Sequence, residues 1–525
     1  MDTITVVYRL TCPADQVAHL SREIALEQTV EVPDRLVTCA KIRNEIVGRV
    51  LEIVPVSQTV DQFDVRIAYA EELAANNLGQ LLNLLFGNIS LKQKIRLREA
   101  RFPAAYLARF RGPNLGIAGL RAALGVFGRP LLATALKPKG SSAEHLARLA
   151  RDFAAGGGDL VKDDHNLVET DFNDFRSRVE QCHTAVRFGS EASGRPCWYL
   201  PNISASGGEL ERRIEYLVRT GIRGVLIAPM LVGLDEVRRL AETYPLYFLA
   251  HPTFTGAMFH DPTHGIDPGL LLGTMFRLAG CDGTIFPNRG GRFAFTDDEC
   301  LQIAERAREP LGSLAASWPA PAGGMSYDTL ASMSDAFGAD AMYLIGGALL
   351  SDSQNLAAST QRFLNRIQEL YPQHQHAEPQ SLLSACELPS SNTTAQLLQH
   401  LAFQPGFQWD GRAVAAYKTN GVLPFRAVAR TELIGKAGEQ TAFDVRYFEI
   451  GPGGHSSLEK HLHTHVVIGA RGQGLLSSGD KSIPLKPFDV AYVPPLEVHQ
   501  LRNESTEPFG FFCIVDHERD VPQVP

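Results

Sequence analysis

Gly156-Gly157-Gly158-Asp159-Leu160-Val161-Lys162-Asp163-Asp164-His165 is a glycine turn, a short apolar run, and then one lysine, two carboxylates and an imidazole. Apolar residues lead into the charges, as they do where a buried parallel strand ends. In a barrel of alternating strands and helices, that end carries the chemistry. Asp163 and Asp164 offer hard oxygen ligands for a divalent ion such as magnesium, and Lys162 beside them suits proton transfer or metal bridging. An ion pair at a strand end would use the same residues, so the stretch has to be read with its surroundings.

Outward from it, similar apolar runs recur: Leu131 to Leu136, Trp198 to Leu200, Gly224 to Ile227, Leu246 to Ala250, Gly283 to Phe286, Ser317 to Pro319 and Met342 to Ile345. Amphipathic segments such as Ala143 to Ala155, Glu209 to Thr220, Leu234 to Glu242 and Gly269 to Ala279 separate them. Eight such strand-and-helix units predict a (β/α)8 TIM barrel over residues 121–371. Residues 1–120 alternate over Thr3 to Leu10, turn amphipathic over Pro13 to Glu27, give strand-like runs at Val50 to Val54 and Phe63 to Tyr69, and end in a helix at Leu78 to Phe86. That predicts an α+β domain of ferredoxin-like type. Residues 372–395 are polar and proline-bearing and predict a linker. Residues 396–525 alternate between Gly, Pro and Asp turns without a long helix, as in Asp444 to Ile450 before Gly451-Pro452-Gly453-Gly454, and predict a small all-β domain. The chain of 525 residues is therefore multidomain.

Charge narrows the function. A net charge of -8 without any Lys/Arg run argues against a nucleic-acid partner. No stretch of about 18 apolar residues predicts a membrane span, and Met1 to Tyr8 lacks the pattern of a signal peptide. Eight cysteines without CxxC spacing read as reduced thiols of a cytoplasmic enzyme.

In Lys137-Pro138-Lys139 the two lysines are two residues apart, so along a strand they leave on the same side. Neighbouring ammonium groups repel, which favours a lysine that acts as a base, although a surface Lys-Pro-Lys would look the same. His251, in Ala250-His251-Pro252-Thr253, ends a strand. Gly323-Gly324 and Gly346-Gly347 fall at the ends of the seventh and eighth runs, where glycines let backbone N–H groups approach a phosphate.

Lys137-Pro138-Lys139, Gly156 to His165, Ala322-Gly323-Gly324 and Gly346-Gly347 resemble, in order and spacing, the catalytic barrel of the RuBisCO large-subunit superfamily, and the chain resembles its RuBisCO-like (type IV) members. The resemblance implies an acid/base role in enolisation for Lys137 and support of the metal site by Lys139. It implies a carbon dioxide-derived carbamate on Lys162, a magnesium-ligand carboxylate at Asp164, and proton transfer near His251, where Thr253 takes the place of a second histidine. Glu27 and Asn88 fall where the family's first domain lends an acidic residue and an asparagine to a partner subunit's site, which implies a homodimer or dimer-based oligomer. Taken alone, Glu27 is a helix-end carboxylate and Asn88 a helix cap. His165 stands where carboxylating members carry glutamate, and in Asn288-Arg289-Gly290-Gly291-Arg292 the arginine Arg292 stands where their loop carries lysine. Imidazole removes a negative charge and a hard ligand, and arginine clamps phosphate or carboxylate but is a poor proton donor. These departures point to enolisation of a sugar phosphate without carboxylation.

Near the C-terminus, Glu459-Lys460-His461-Leu462-His463-Thr464-His465 would put Glu459, His461, His463 and His465 on one face if the run is a strand. Pro494, His499 and Asn503 follow. Together they resemble the two metal motifs of the cupin superfamily, with His465 where glutamate is usual. Nitrogen ligands suit Mn, Fe, Ni or Zn. His461, His465 and His499 are the expected ligands, completed by Glu459 or His463; a solvated His-rich edge is the alternative. The two resemblances together imply a 5-methylthioribulose-1-phosphate isomerase fused to a cupin that releases the methylthio group. The alternative is a decarboxylase or transcarboxylase of a branched sugar-acid phosphate whose cupin only binds or senses a ligand.

Overall fold

The computed structural model describes residues 2–293, 295–353, 355–372, 401–417, 424–436, 441, 443–461, 463–479 and 481–516. Apart from Pro372, the expected linker at 372–395 lies outside them. The chain divides into two compact units, Met1–Gln380 and Ser381–Pro525. Among the described residues, no helix is long and apolar enough to cross a membrane.

The first unit opens with strands Thr3–Thr11, Arg49–Pro55, Gln62–Ala70 and Ile95–Arg101, and with helices Val17–Glu27 and Leu78–Phe86. In sheet order the fourth strand lies beside the first, then the third, then the second, which is the ferredoxin-like arrangement. Alternation along Thr3–Thr11 buries Ile4, Val6, Tyr8 and Leu10 with helix residues Ile24, Leu81 and Leu85. Asp235 of the barrel accepts from the Leu78 and Gly79 N–H groups at 2.8 Å, capping the second helix and fastening the two layers.

The barrel strands are Leu131–Leu136, Leu160–Asp163, Trp198–Leu200, Gly224–Ile227, Tyr247–Ala250, Gly283–Pro287, Trp318–Ala322 and Met342–Leu344. They form one parallel sheet, closed by a bridge between Asn202 and Leu226. Leu131, Ala133, Leu160, Leu249, Ile285 and Trp318 are among the residues that fill its interior. Gly269–Ala279, expected as a helix, is helical over Gly269–Leu278, wound as a wider π-helix over Gly269–Met275 and as α-helix over Phe276–Leu278. A Cβ at Gly273 would lie 2.5 Å from Arg306 of helix Asp297–Arg308, so glycine there permits an unusually close approach.

Buried carboxylates at the strand beginnings are fully used by structure. Asp159 takes both guanidinium nitrogens of Arg129 at 2.7 and 2.8 Å, and Asp282 accepts from the Leu115, Gly116 and Phe248 N–H groups. The strand ends are therefore where charge stays available.

Among the described residues, the second unit holds a nine-stranded antiparallel sheet, including Arg426–Ile434, Phe443–His455, His465–Arg471 and Phe509–Asp516, and a two-stranded one, Phe403–Gln404 with Gln408–Trp409. Phe448, Ile450, Val467, Phe511 and Val515 form its core.

Candidate functional site

Alternation decides which charges share the barrel mouth. Leu131, Ala133 and Leu160 point inward, and the same period carries Lys137, Lys162 and Asp164 to the inner side at the strand ends. Asp163 points the other way. Its buried carboxylate accepts from Arg178 Nη1, from the Tyr199 hydroxyl at 2.7 Å and from the Asn202 N–H at 2.8 Å. It is a structural anchor, which corrects its reading as a metal ligand. Arg178 lies on helix Phe172–Ser193, Tyr199 on strand Trp198–Leu200 and Asn202 just after that strand, so only the packing of these later elements pairs them with Asp163.

Lys162 is 4% exposed, and its ammonium donates to the Asp163 carbonyl at 3.0 Å. Burial pulls its pKa down to about 8; Asp164 opposes that and Lys137 adds to it. The repulsion expected between Lys137 and Lys139 thus falls on a different lysine. The strand ends at Leu136, so the two-residue rule no longer holds: Lys137 Nζ meets Asp164 Oδ2 at 3.1 Å, while Lys139 donates to the Val168 carbonyl at 2.8 Å. Burial raises the Asp164 pKa, but the Asn166 N–H, Lys137 and Lys162 outweigh it and hold the carboxyl below its usual range.

His165 Nδ1 lies 3.3 Å from Asp164 Oδ1, and its ring stacks on His251 with centroids 4.3 Å apart. Burial, then the nearby cations, pushes His251 down to about 2. His251 Nδ1 accepts from the Thr253 N–H at 3.2 Å and lies 2.5 Å from the Thr253 hydroxyl. A backbone N–H can only donate, so Nδ1 is the acceptor and Nε2 carries the proton. Thr253 thus fixes the tautomer of a neutral imidazole.

Gly323 and Gly324 have φ of +81° and +69°. Above Gly323, Gly346 and Gly347 an added Cβ would meet nothing within 4 Å, so those backbones face open space. Gly324 instead packs on the backbone of Arg289 to Gly291. Arg292 is exposed, and among the described residues no hydrogen bond or ion pair joins it to the lysine cluster. Asn88 Nδ2 donates to Glu27 Oε1 at 3.0 Å on an exposed surface, so these two meet each other but no residue of the barrel cluster.

The barrel cluster fits a divalent cation. Asp164 supplies an ionised carboxylate and His165 an imidazole, and Lys162, buried with only a carbonyl for partner, favours the neutral amine that carbamate formation requires.

In the second unit, His461, His465 and His499 are buried, with one nitrogen of each within 4.8 Å of the others. His461 Nδ1 donates to the His463 carbonyl at 2.7 Å and His499 Nδ1 to the Glu497 carbonyl at 2.8 Å, which leaves Nε2 lone pairs on both rings. His465 Nε2 faces His499 Nε2 at 3.1 Å, and burial pushes His465 down to about 2. Three buried imidazoles with converging nitrogens are a donor set for a transition metal. Glu459 and His463 line the same cavity outside that trio.

A closed parallel barrel with a lysine–carboxylate–imidazole mouth, carried on a ferredoxin-like layer and followed by an antiparallel sheet with converging histidines, defines the class. Residues 116–362 match the ribulose bisphosphate carboxylase large chain catalytic domain, and 446–515 match the cupin domain. The chain is 41% identical to the ribulose bisphosphate carboxylase-like protein 1 of Rhodopseudomonas palustris, over 70% of this chain and 98% of that one. It is 39% identical to the 5-methylthioribulose-1-phosphate isomerase of Rhodospirillum rubrum, over 70% and 96%. The crystal structure of a Rubisco-like protein from Rhodopseudomonas palustris superposes with a TM-score of 0.64 at 37% identity, over 70% and 98%. The chain belongs to the RuBisCO-like proteins, with a cupin domain at its C-terminal end.

Proposed function

We propose that the barrel is a non-carboxylating enolising enzyme acting on a sugar phosphate, specifically a 5-methylthioribulose-1-phosphate isomerase. The observation that carries this reading is the mouth itself, with Lys137, Lys162, Asp164, His165 and His251 around one space, together with the named activity of the Rhodospirillum rubrum relative. Lys162, Asp164 and His165 would hold magnesium, with a carbamate on Lys162 as the oxygen donor. Carbamate formation joins the neutral amine to carbon dioxide and releases one proton. Bound there, the ion supplies positive charge for a developing enediolate.

The chain's own groups do the rest. Lys137, held by Asp164 at the mouth, takes the proton from a carbon next to the carbonyl and returns it to a neighbouring carbon, so the isomer keeps every atom. His251, neutral and donating from Nε2, hydrogen-bonds a sugar oxygen. The open backbones of Gly323, Gly346 and Gly347 take the phosphate, and Arg292 and Lys139 stand at the rim. Glu27 and Asn88 would complete the site of a second copy in a homodimer. The cupin, which would hold a transition metal on His461, His465 and His499, would act on the isomerised product with two thiols as reductant: the C–S bond breaks, a C–H bond forms, methanethiol leaves and the thiols become a disulfide.

The test is NMR of the purified chain with magnesium, bicarbonate and 5-methylthioribulose 1-phosphate. An isomeric pentose phosphate, followed by methylthio release with added thiol, is the expected result. Unchanged substrate would overturn the isomerase reading.

A further inference from the structure

The inner face of the second unit carries charge the histidines do not account for. Along Phe443–His455 the residues on the side of the core are Arg446, Phe448 and Ile450, and along Arg426–Ile434 they are Val428, Arg430 and Glu432. Two arginines therefore point into the sheet's interior, and both line the same cavity of about 90 Å³ as His461, His465 and His499. Their guanidiniums are poorly compensated. Arg430 Nε lies 3.0 Å from Glu432 Oε1, an ion pair that lacks hydrogen-bond alignment, and Nε of both arginines is buried without a hydrogen-bond partner. Among the described residues, no carboxylate lies within ion-pair distance of Arg446. Its Nη2 reaches only the Cys513 thiol at 3.4 Å, and its guanidinium packs over the Phe448 ring.

Charge in the cavity makes the case sharper. In formal charge Glu432 and Glu459 balance the two guanidiniums, although among the described residues no carboxylate lies beside Arg446, so a divalent ion held by the three histidines would leave two positive charges inside. A buried charge is costly unless something pairs with it. Arginine's planar fork matches the two oxygens of a carboxylate or phosphate.

We propose that the cupin cavity binds the anionic head group of a small molecule, a carboxylate or phosphate, between the Arg446 and Arg430 guanidiniums and the metal on His461, His465 and His499. This rests on the reading of the three histidines as a metal centre. The arginines are specificity residues: they fix the charged end of the ligand beside the metal.

The test uses the full chain loaded with Co2+ in excess magnesium, with the cobalt absorption bands that disappear in His499→Ala assigned to this centre. Acetate and methyl phosphate are then titrated separately. A saturable shift of those bands by one of them is expected, and identifies which head group fits. Arg446→Gln and Arg430→Gln should weaken that binding by about ten- to a hundred-fold, with cobalt uptake unchanged and partial recovery in Arg446→Lys. The His499-dependent bands report an intact cavity; if Arg446→Gln loses them, Arg430→Gln and Arg446→Lys carry the comparison. No response to either anion, or wild-type affinity in the arginine variants, overturns the inference. Absence of His499-dependent bands overturns the metal centre itself, and the inference with it.

Discussion

Lys162→Met should inactivate the barrel and at the same time stabilise it. The wild-type ammonium is buried with only a carbonyl as hydrogen-bond partner, and burial lowers its pKa from 10.5 to about 8. At about 1.4 kcal/mol per unit, keeping that charge inside costs roughly 3 kcal/mol. Methionine keeps the stem's packing and removes the charge. The sign fixes the pH window. Below about 8 the lysine is charged in both states and the cost is complete; between about 8 and 10.5 the unfolded chain holds the proton that the folded chain has lost, so wild-type stability rises with pH; above 10.5 no difference remains. The variant lacks this slope. The assay is urea unfolding in metal-free, carbon dioxide-free buffer, with Trp409→Phe in both proteins so that fluorescence reports Trp198 and Trp318 of the first unit. A variant less stable than wild type at pH 7, or a difference that does not shrink towards pH 10.5, refutes the reasoning.

Four other outcomes follow from the same geometry. Activation by bicarbonate and magnesium should rise with pH around an apparent pKa near 8, because only the neutral Lys162 amine forms a carbamate; activation independent of pH between 7 and 9 would contradict it. Asp163→Asn leaves Arg178 with only Glu169 as a charged partner and should cost about 3 kcal/mol in urea unfolding of the first unit, well above the effect of a surface change. Gly347→Ala meets no neighbouring atom, so stability should stay within about 0.5 kcal/mol while substrate KM rises about ten-fold; an unchanged KM removes Gly347 from the phosphate site. Chelation should lower the melting transition of the second unit by several degrees, and His461→Ala should abolish the difference, as calorimetry would show.

Much of this was legible in the chain. The short apolar runs located all eight barrel strands to within a few residues, and Lys137, Lys162 and the glycine pairs fall at the strand ends as expected. Strand alternation, applied inside Lys162-Asp163-Asp164, separates the mouth residues from the structural one, since Asp163 must face the helices. What sequence left out depends on contacts between distant segments: Arg178 and Tyr199 around Asp163, and Thr253 holding the His251 tautomer. Lys139 parted from Lys137 because the chain leaves the strand at Leu136, a boundary that spacing alone does not give. Arg446 was visible in the alternation of Asp444 to Ile450, but only the partner strand shows that its face is the interior.

The enolising role of the barrel mouth is tested most directly by solvent-deuterium entry into 5-methylthioribulose 1-phosphate, comparing wild type with Lys137→Met and Lys162→Met in deuterated water. Wild type should place deuterium on carbon in the isomerised product, and both variants should exchange at least about a hundred-fold more slowly. Exchange at the wild-type rate in either variant would contradict the assignment of that lysine, and in both it would move the chemistry away from this mouth.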